Sequence, residues 1–199
     1  MSDTKISAKR GRPRAFDRDE ALAKAQVLFH AKGYDGLSVA DLTQALGINP
    51  PSFYAAFGSK LELYDEALRR YEKTEGLDVD TALAPGTPLP AGVTKLLRYA
   101  ADAYACDGPC GCMVIEGARG TADPEAGDRA RARMEASRAY IREKIVVLDA
   151  NNADLAADYV MMSFAGLSAS ARNGMPTQRL RVMAGIAGEG LSAYLTSDR

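Results

Sequence analysis

Between Ser38 and Gly58 two short helical patterns are separated by only Gly47-Ile48-Asn49. That spacing leaves the chain little choice. The glycine permits a sharp turn, and the two helices must cross rather than continue as one. Local signals set their ends. Ser38 caps Val39–Leu46, with Asp41 in the first turn and Gly47 as the stop. Asn49 caps Pro50–Phe57, whose prolines are tolerated because first-turn amides have no intrahelical acceptor, and Gly58 ends it. Val39, Leu42, Leu46, Ile48, Phe53 and Phe57 are expected to lock the pair against a preceding helix. Thr43, Gln44, Ser52, Tyr54, Ala55 and Ala56 are expected to remain exposed. Spacing alone is also compatible with a structural helical hairpin.

The preceding helix starts at Asp17, with Glu20 three residues on, and places Ala21, Leu22, Ala25, Leu28 and Phe29 on one side before Gly33. Ser59 caps a fourth helix carrying the stripe Leu61, Tyr64, Leu68 and Tyr71. From Leu77 to Pro90 three prolines and one glycine read as a linker. Helical patterns then follow over Val93–Ala105, Met113–Ala118, Glu125–Leu148, Leu155–Arg172 and Thr177–Leu195. No strand pattern appears, so the fold class is all-α with about nine helices.

A chain of 199 residues, 47% hydrophobic and 26% charged, has the composition of a soluble globular protein. It holds no run of 18 apolar residues to span a membrane. The first residues are basic with no apolar stretch behind them, so no export signal is expected and the cytoplasm is the expected location. Net charge is −1, but Lys5, Lys9, Arg10, Arg12 and Arg14 face Asp3 alone, a local balance of +4 on an otherwise acidic chain. Such an arm suits a polyanion. Lys-Arg-Gly-Arg-Pro-Arg has the make-up of a minor-groove hook, the other reading being a solvated tail.

Together, arm and crossed helices point to double-stranded DNA, with the second helix of the pair in the major groove. The expected contacts are Arg10, Arg12 and Arg14 from the arm, Thr43 and Gln44, then Pro50, Pro51, Ser52, Tyr54 and Ala55. Hydroxyls would serve phosphates and hydrocarbon would serve thymine methyls. Lys60 is placed to neutralise a phosphate. An enzyme is not expected: there is no phosphate-cradling loop and no nucleophile elbow, and the single histidine, His30, reads as a structural residue. No catalytic residue, cofactor or metal is expected.

Residues 16–64 resemble the DNA-binding domain of the TetR family of repressors. The run that carries the likeness is Gly33-Tyr34, Ser38-Val39-Ala40-Asp41-Leu42, Leu46-Gly47-Ile48, Ser52-Phe53-Tyr54, Phe57 and Ser59-Lys60. The resemblance implies an all-helical homodimer whose repression is relieved by a ligand in the C-terminal domain. It carries DNA contact onto Thr43, Ser52, Tyr54 and Lys60. Where this chain has Pro50-Pro51, family members commonly have Lys-Gly, so one cation and two backbone donors are missing. The expected domains are a basic arm over 1–15, a DNA-binding domain over 16–60 and a regulatory and dimerisation domain over 61–199. A palindromic operator is expected, with release by an unidentified small inducer or by thiol modification. A non-specific architectural DNA-binding protein is the alternative, and activation in place of repression stays open.

In the C-terminal part, Leu155, Tyr159 and Met162, then Leu180, Met183, Ala187, Leu191 and Tyr194, are stripes suited to a four-helix dimer interface, though an internal core explains them too. Gly185, Gly188 and Gly190 would allow close backbone approach. Tyr99, Tyr104, Met113, Met134, Tyr140, Met161 and Phe164 are candidate lining residues of a ligand pocket, or plain core. Cys106, Cys110 and Cys112 form a Cys-x3-Cys-x-Cys group that is either inert, a redox or electrophile sensor, or a soft-metal site.

Overall fold

The N-terminal helices are closed by their own side chains. In the computed structural model, which describes residues 16–105 and 110–197, Asp17 Oδ1 accepts from the amides of Asp19 and Glu20 at the start of α1 (Arg18–Lys32). Ser38 and Asp41 exchange hydrogen bonds in a capping box that opens α2 (Val39–Leu46). Gly47, at φ +68°, takes the left-handed conformation that lets α3 (Pro50–Phe57) turn away from α2. Asn49 Oδ1 caps α3, and Ser59 Oγ caps α4 (Lys60–Glu75). These devices are local, which is why the expected ends of α2 and α3 hold to the residue.

Leu42, Phe53 and Phe57 are buried with Phe29 of α1 and Leu63 of α4. Val39, Leu46 and Ile48 are partly buried against the same core. Emptying the site of one such fully buried leucine costs about 2–5 kcal/mol. Tyr64 packs edge-on to Phe29 at 5.1 Å and lies 5.0 Å from Tyr34. Further along α4, Leu68 and Tyr71 stay buried while the helix runs on against α7 (Met113–Ala118) and α8 (Pro124–Leu148). The expected boundary after residue 60 falls at the start of a helix that packs on α1 as well as on α7 and α8.

Asp65 of α4 meets Arg133 (2.7 Å), Arg69 (2.7 Å) and Arg129 (3.4 Å). Burial works to raise its carboxyl pKa, but the Arg133 hydrogen bond and the three guanidinium charges hold it below the usual carboxylate range. Arg133 also binds Glu72, so α4 and α8 are joined by a charge network and not by apolar contact alone.

The segment read as a linker contains a single turn, α5 (Val79–Ala82), whose Ala82 and following Leu83 are buried. With it the described residues hold ten helices, completed by α6 (Leu89–Tyr104), α9 (Ala153–Arg172) and α10 (Thr177–Thr196). Helix α6 packs closely on α10. A Cβ at Gly188 would stand 2.7 Å from Thr94 Cβ, so only glycine fits there. Among the described residues no helix is long and apolar enough to cross a membrane.

Candidate DNA interface and effector cavity

Helix α3 presents Pro50, Pro51, Ser52, Tyr54 and Ala55 to solvent, with Tyr54 52% exposed. Gln44 on α2 is exposed beside them, while Ala56 is half-buried. Two expected contacts lie elsewhere. Thr43 is buried, and its hydroxyl donates to the Ala40 carbonyl (2.9 Å), so it does not stand on the open face. Lys60 is half-buried with Nζ 3.9 Å from the centre of the Tyr34 ring. Burial pulls its ammonium pKa below the usual value, against the pull of Asp35 and Asp123. The cation thus faces the junction with the C-terminal part. Arg10, Arg12 and Arg14 lie outside the described residues.

That junction is a set of hydrogen bonds. Tyr34 donates to Asp123 (3.0 Å), the residue that caps α8, and the Ala122 amide donates to Asp35 (2.7 Å). Desolvation and the Asp123 carboxylate push the Tyr34 phenol up to about 12. On the other side of α1, His30 Nε2 donates to the Gly111 carbonyl (3.0 Å). A carbonyl can only accept, which sets the tautomer. Burial keeps the His30 pKa below its ordinary value despite that bond, so the ring is neutral at pH 7. Arg172, at the end of α9, donates to the His30 carbonyl (2.7 Å). Ser168 of α9 accepts from the Cys112 amide (2.9 Å) and donates to Glu116 (2.8 Å).

Behind this junction lies a cavity of about 330 Å³ among α4, α6, α7, α8 and α9. Tyr104, Met134, Tyr140, Met161 and Phe164 line it, as expected from sequence; Tyr99 and Met113 do not. Tyr99 precedes Tyr104 by five residues, which turns it about 140° round α6. Met113 instead lines a crevice between α1 and α7. Tyr71, Glu72, Glu75, Leu77, Val79, Ile115 and Ile141 also line the cavity and were not singled out from sequence. The extension of the α4 stripe to Tyr71, beyond the crossed pair, was the available signal.

Cys112 is buried on the cavity wall beside the phenols of Tyr71 and Tyr104. Burial pushes its thiol pKa up, more than the amides of Ile115 and Val114 and the two phenols pull it down. Cys110 is half-buried, and neither is in a disulfide. Cys106 lies outside the described residues. Among the described residues no group of three or more His, Cys, Asp or Glu side chains is arranged to hold a metal.

The expected dimer stripes divide into two. Leu180 and Leu191 are buried inside the protomer, and Tyr159 donates to the Ala187 carbonyl (2.6 Å) across α9 and α10. Leu155, Met162, Met183 and Tyr194 are exposed, together with Val182 and Ile186, which sequence reading missed. On α10 the spacing 180, 184, 188, 191 turns inward to α6, and 182, 183, 186 turns out.

Comparison with known proteins agrees with this architecture. The family model for bacterial regulatory proteins of the tetR family matches residues 21–67. The transcriptional repressor BdcR of Escherichia coli K12 is 39% identical over 196 residues, covering 98% of this chain and 99% of its own. ComR of the same organism, also a transcriptional repressor, is 29% identical over 192 residues, covering 90% of this chain and 91% of its own. Among solved structures, a cysteine-substituted CifR bound to 26-base-pair operator DNA has a TM-score of 0.80 at 35% identity, covering 90% of this chain and 98% of its own. From caps to cavity and across nearly its whole length, the chain belongs to the TetR family of transcriptional regulators.

Proposed function

We propose that this chain is a homodimeric repressor that binds a palindromic operator through α2 and α3. It leaves the operator when a small molecule enters the cavity or a thiol of the Cys106, Cys110 and Cys112 group is modified. The observation that carries this reading is the hydrogen-bonded path between the two ends. Cys112 lines the cavity, its neighbour Gly111 is held by His30 at the end of α1, and Arg172 of α9 holds the His30 backbone. Filling the cavity displaces residues 110–112, and α1 carries that displacement to the crossed helices packed on it. The apolar face of Leu155, Met162, Val182, Met183 and Ile186 supports a twofold pairing, which doubles the bases that one short helix can read. The protein acts in the cytoplasm, where the DNA is.

The test is selection of bound fragments from random duplexes by the full chain, followed by titration of the selected site against excess competitor DNA. A palindrome retained against competitor is expected. Binding without sequence preference would make the chain an architectural protein and overturn the reading. Adding an uncharged alkylating reagent to the complex then tests release. A protein with Cys106, Cys110 and Cys112 all changed to Ser should keep its operator where the wild type lets go.

A further inference from the structure

We infer that the tip of α3 selects its half-site by touching thymine methyl groups, with Pro50, Pro51 and Ala55 as the specificity-determining residues. This rests on the operator-binding reading above.

Direct readout in the major groove uses a small set of side chains. Arginine or lysine reads guanine, asparagine or glutamine reads adenine, and aspartate or glutamate reads cytosine. Helix α3, Pro-Pro-Ser-Phe-Tyr-Ala-Ala-Phe, contains none of these six types. The asparagine immediately before it is already engaged, because Asn49 Oδ1 accepts from the Ser52 amide at 2.9 Å. Lys60, after it, lies over Tyr34.

The backbone offers nothing in their place. Helix N-termini ordinarily present free amides to a phosphate or a base edge. Here Pro50 and Pro51 have no N–H, the Ser52 amide goes to Asn49 Oδ1, and the Phe53 amide goes to the Asn49 carbonyl (3.0 Å). The first turn of α3 therefore has no amide left to give. What projects from it is two exposed pyrrolidine rings and, one turn on, the Ala55 methyl. The only alkyl group that an unmodified base pair shows in the major groove is the C5-methyl of thymine. Ser52 and Tyr54 supply the two hydroxyls on this face, which serve phosphates or any base and discriminate little. Sequence choice along α3 thus falls to methyl contacts.

Deoxyuridine provides the test, since it differs from thymidine by that methyl alone. A random duplex library is amplified in two pools, one with thymidine triphosphate and one with deoxyuridine triphosphate, and each is selected on the full chain. The first pool should yield half-sites with fixed thymines that lose enrichment in the second. The selected site, resynthesised with deoxyuridine at those positions, should bind about fourfold more weakly for each methyl lost, the equivalent of one buried carbon. A Pro50→Ser, Pro51→Ser protein should bring the thymine-to-uracil ratio toward one. Should that double variant fail to fold, the ratio measured on the wild-type protein decides alone. Equal affinity of the wild type for both versions of the site overturns this inference and leaves operator binding standing. A ratio unchanged by the folded double variant removes the prolines from the assignment. Absence of any selected sequence in both pools overturns the operator reading itself.

Discussion

The phenol of Tyr34 donates to Asp123 at 3.0 Å, and the other oxygen of that carboxylate accepts the amides of Glu125 and Ala126. One side chain therefore caps α8 and ties it to the loop after α1. Tyr34→Phe removes the tie and keeps the cap, so we expect a stability loss of about 0.5–1.5 kcal/mol. Asp123→Ala removes both and should cost about 1–3 kcal/mol. Chemical denaturation of the two variants measures this. If the tie transmits the cavity signal, Tyr34→Phe should also blunt the effect of an alkylating reagent on DNA affinity. An undiminished response would place transmission elsewhere.

Removal of residues 1–14 takes away five cations and should weaken binding to every sequence. The slope of log affinity against log salt should shrink by about 0.9 for each phosphate that the arm neutralises. The Pro50→Ser, Pro51→Ser change, by contrast, should cost operator binding more than random binding and leave the slope nearly unchanged. Equal losses from both changes would show that arm and helix do not divide the work. Filter binding at several salt concentrations separates the outcomes.

His30 gives stability a pH dependence of known sign. Burial lowers its pKa in the folded protein, so the unfolded chain takes up the proton first as pH falls. The groups facing the ring are the Tyr71 phenol, the Gly111 carbonyl, Arg172 and Glu116, and Arg172 reinforces the neutral form. Stability should be flat in this respect above about pH 6.5, the ordinary histidine value. Below it, stability should fall by at most about 1.4 kcal/mol per pH unit on account of this group. Melting curves of the wild type and His30→Gln between pH 7.5 and 5.5 measure it. Parallel curves would mean that the ring is not held neutral.

Gly188→Ala sets a methyl 2.7 Å from Thr94 Cβ, on a β-branched side chain that cannot swing clear of α10. A loss of about 1–3 kcal/mol is expected, read as a lowered Tm. Gly166, one turn beyond Met162 on α9, has nothing of its own protomer within 4 Å of where a Cβ would stand, so Gly166→Ala should be neutral or stabilising for the fold of the protomer itself.

Much of the fold was legible because its signals are local. Ser38, Gly47, Asn49 and Gly58 act within four residues of themselves, and they bracket α2 and α3 without help from the rest of the chain. Thr43 and Lys60 were misplaced because their positions depend on packing. Thr43 turns inward and returns its hydroxyl to Ala40, and Lys60 is drawn to Tyr34, which is 26 positions away in sequence. The α10 stripe was misread for a related reason. A helix covered on one side by α6 and apolar on the other carries two faces, and a single period merges Leu180 with Met183. The cavity was half legible. Its aromatic and Met lining showed in the spacing, but Tyr71, Glu75 and Leu77 join it only because α4 outruns the crossed pair.

The guanidinium of Arg172 on the carbonyl of His30 has a bearing on geometry at a larger scale. In the proposed pair, helix α9 would present Leu155 and Met162 to a second copy, while its last turn grips the end of α1, on which α2 is packed. On that proposal the separation between the two heads would be set by α9, acting as a ruler between the symmetry axis and each groove. Relatives could change the bases they recognise by altering α3 while keeping the same centre-to-centre distance. To recognise operators of a different pitch, they would have to alter the far end of the molecule.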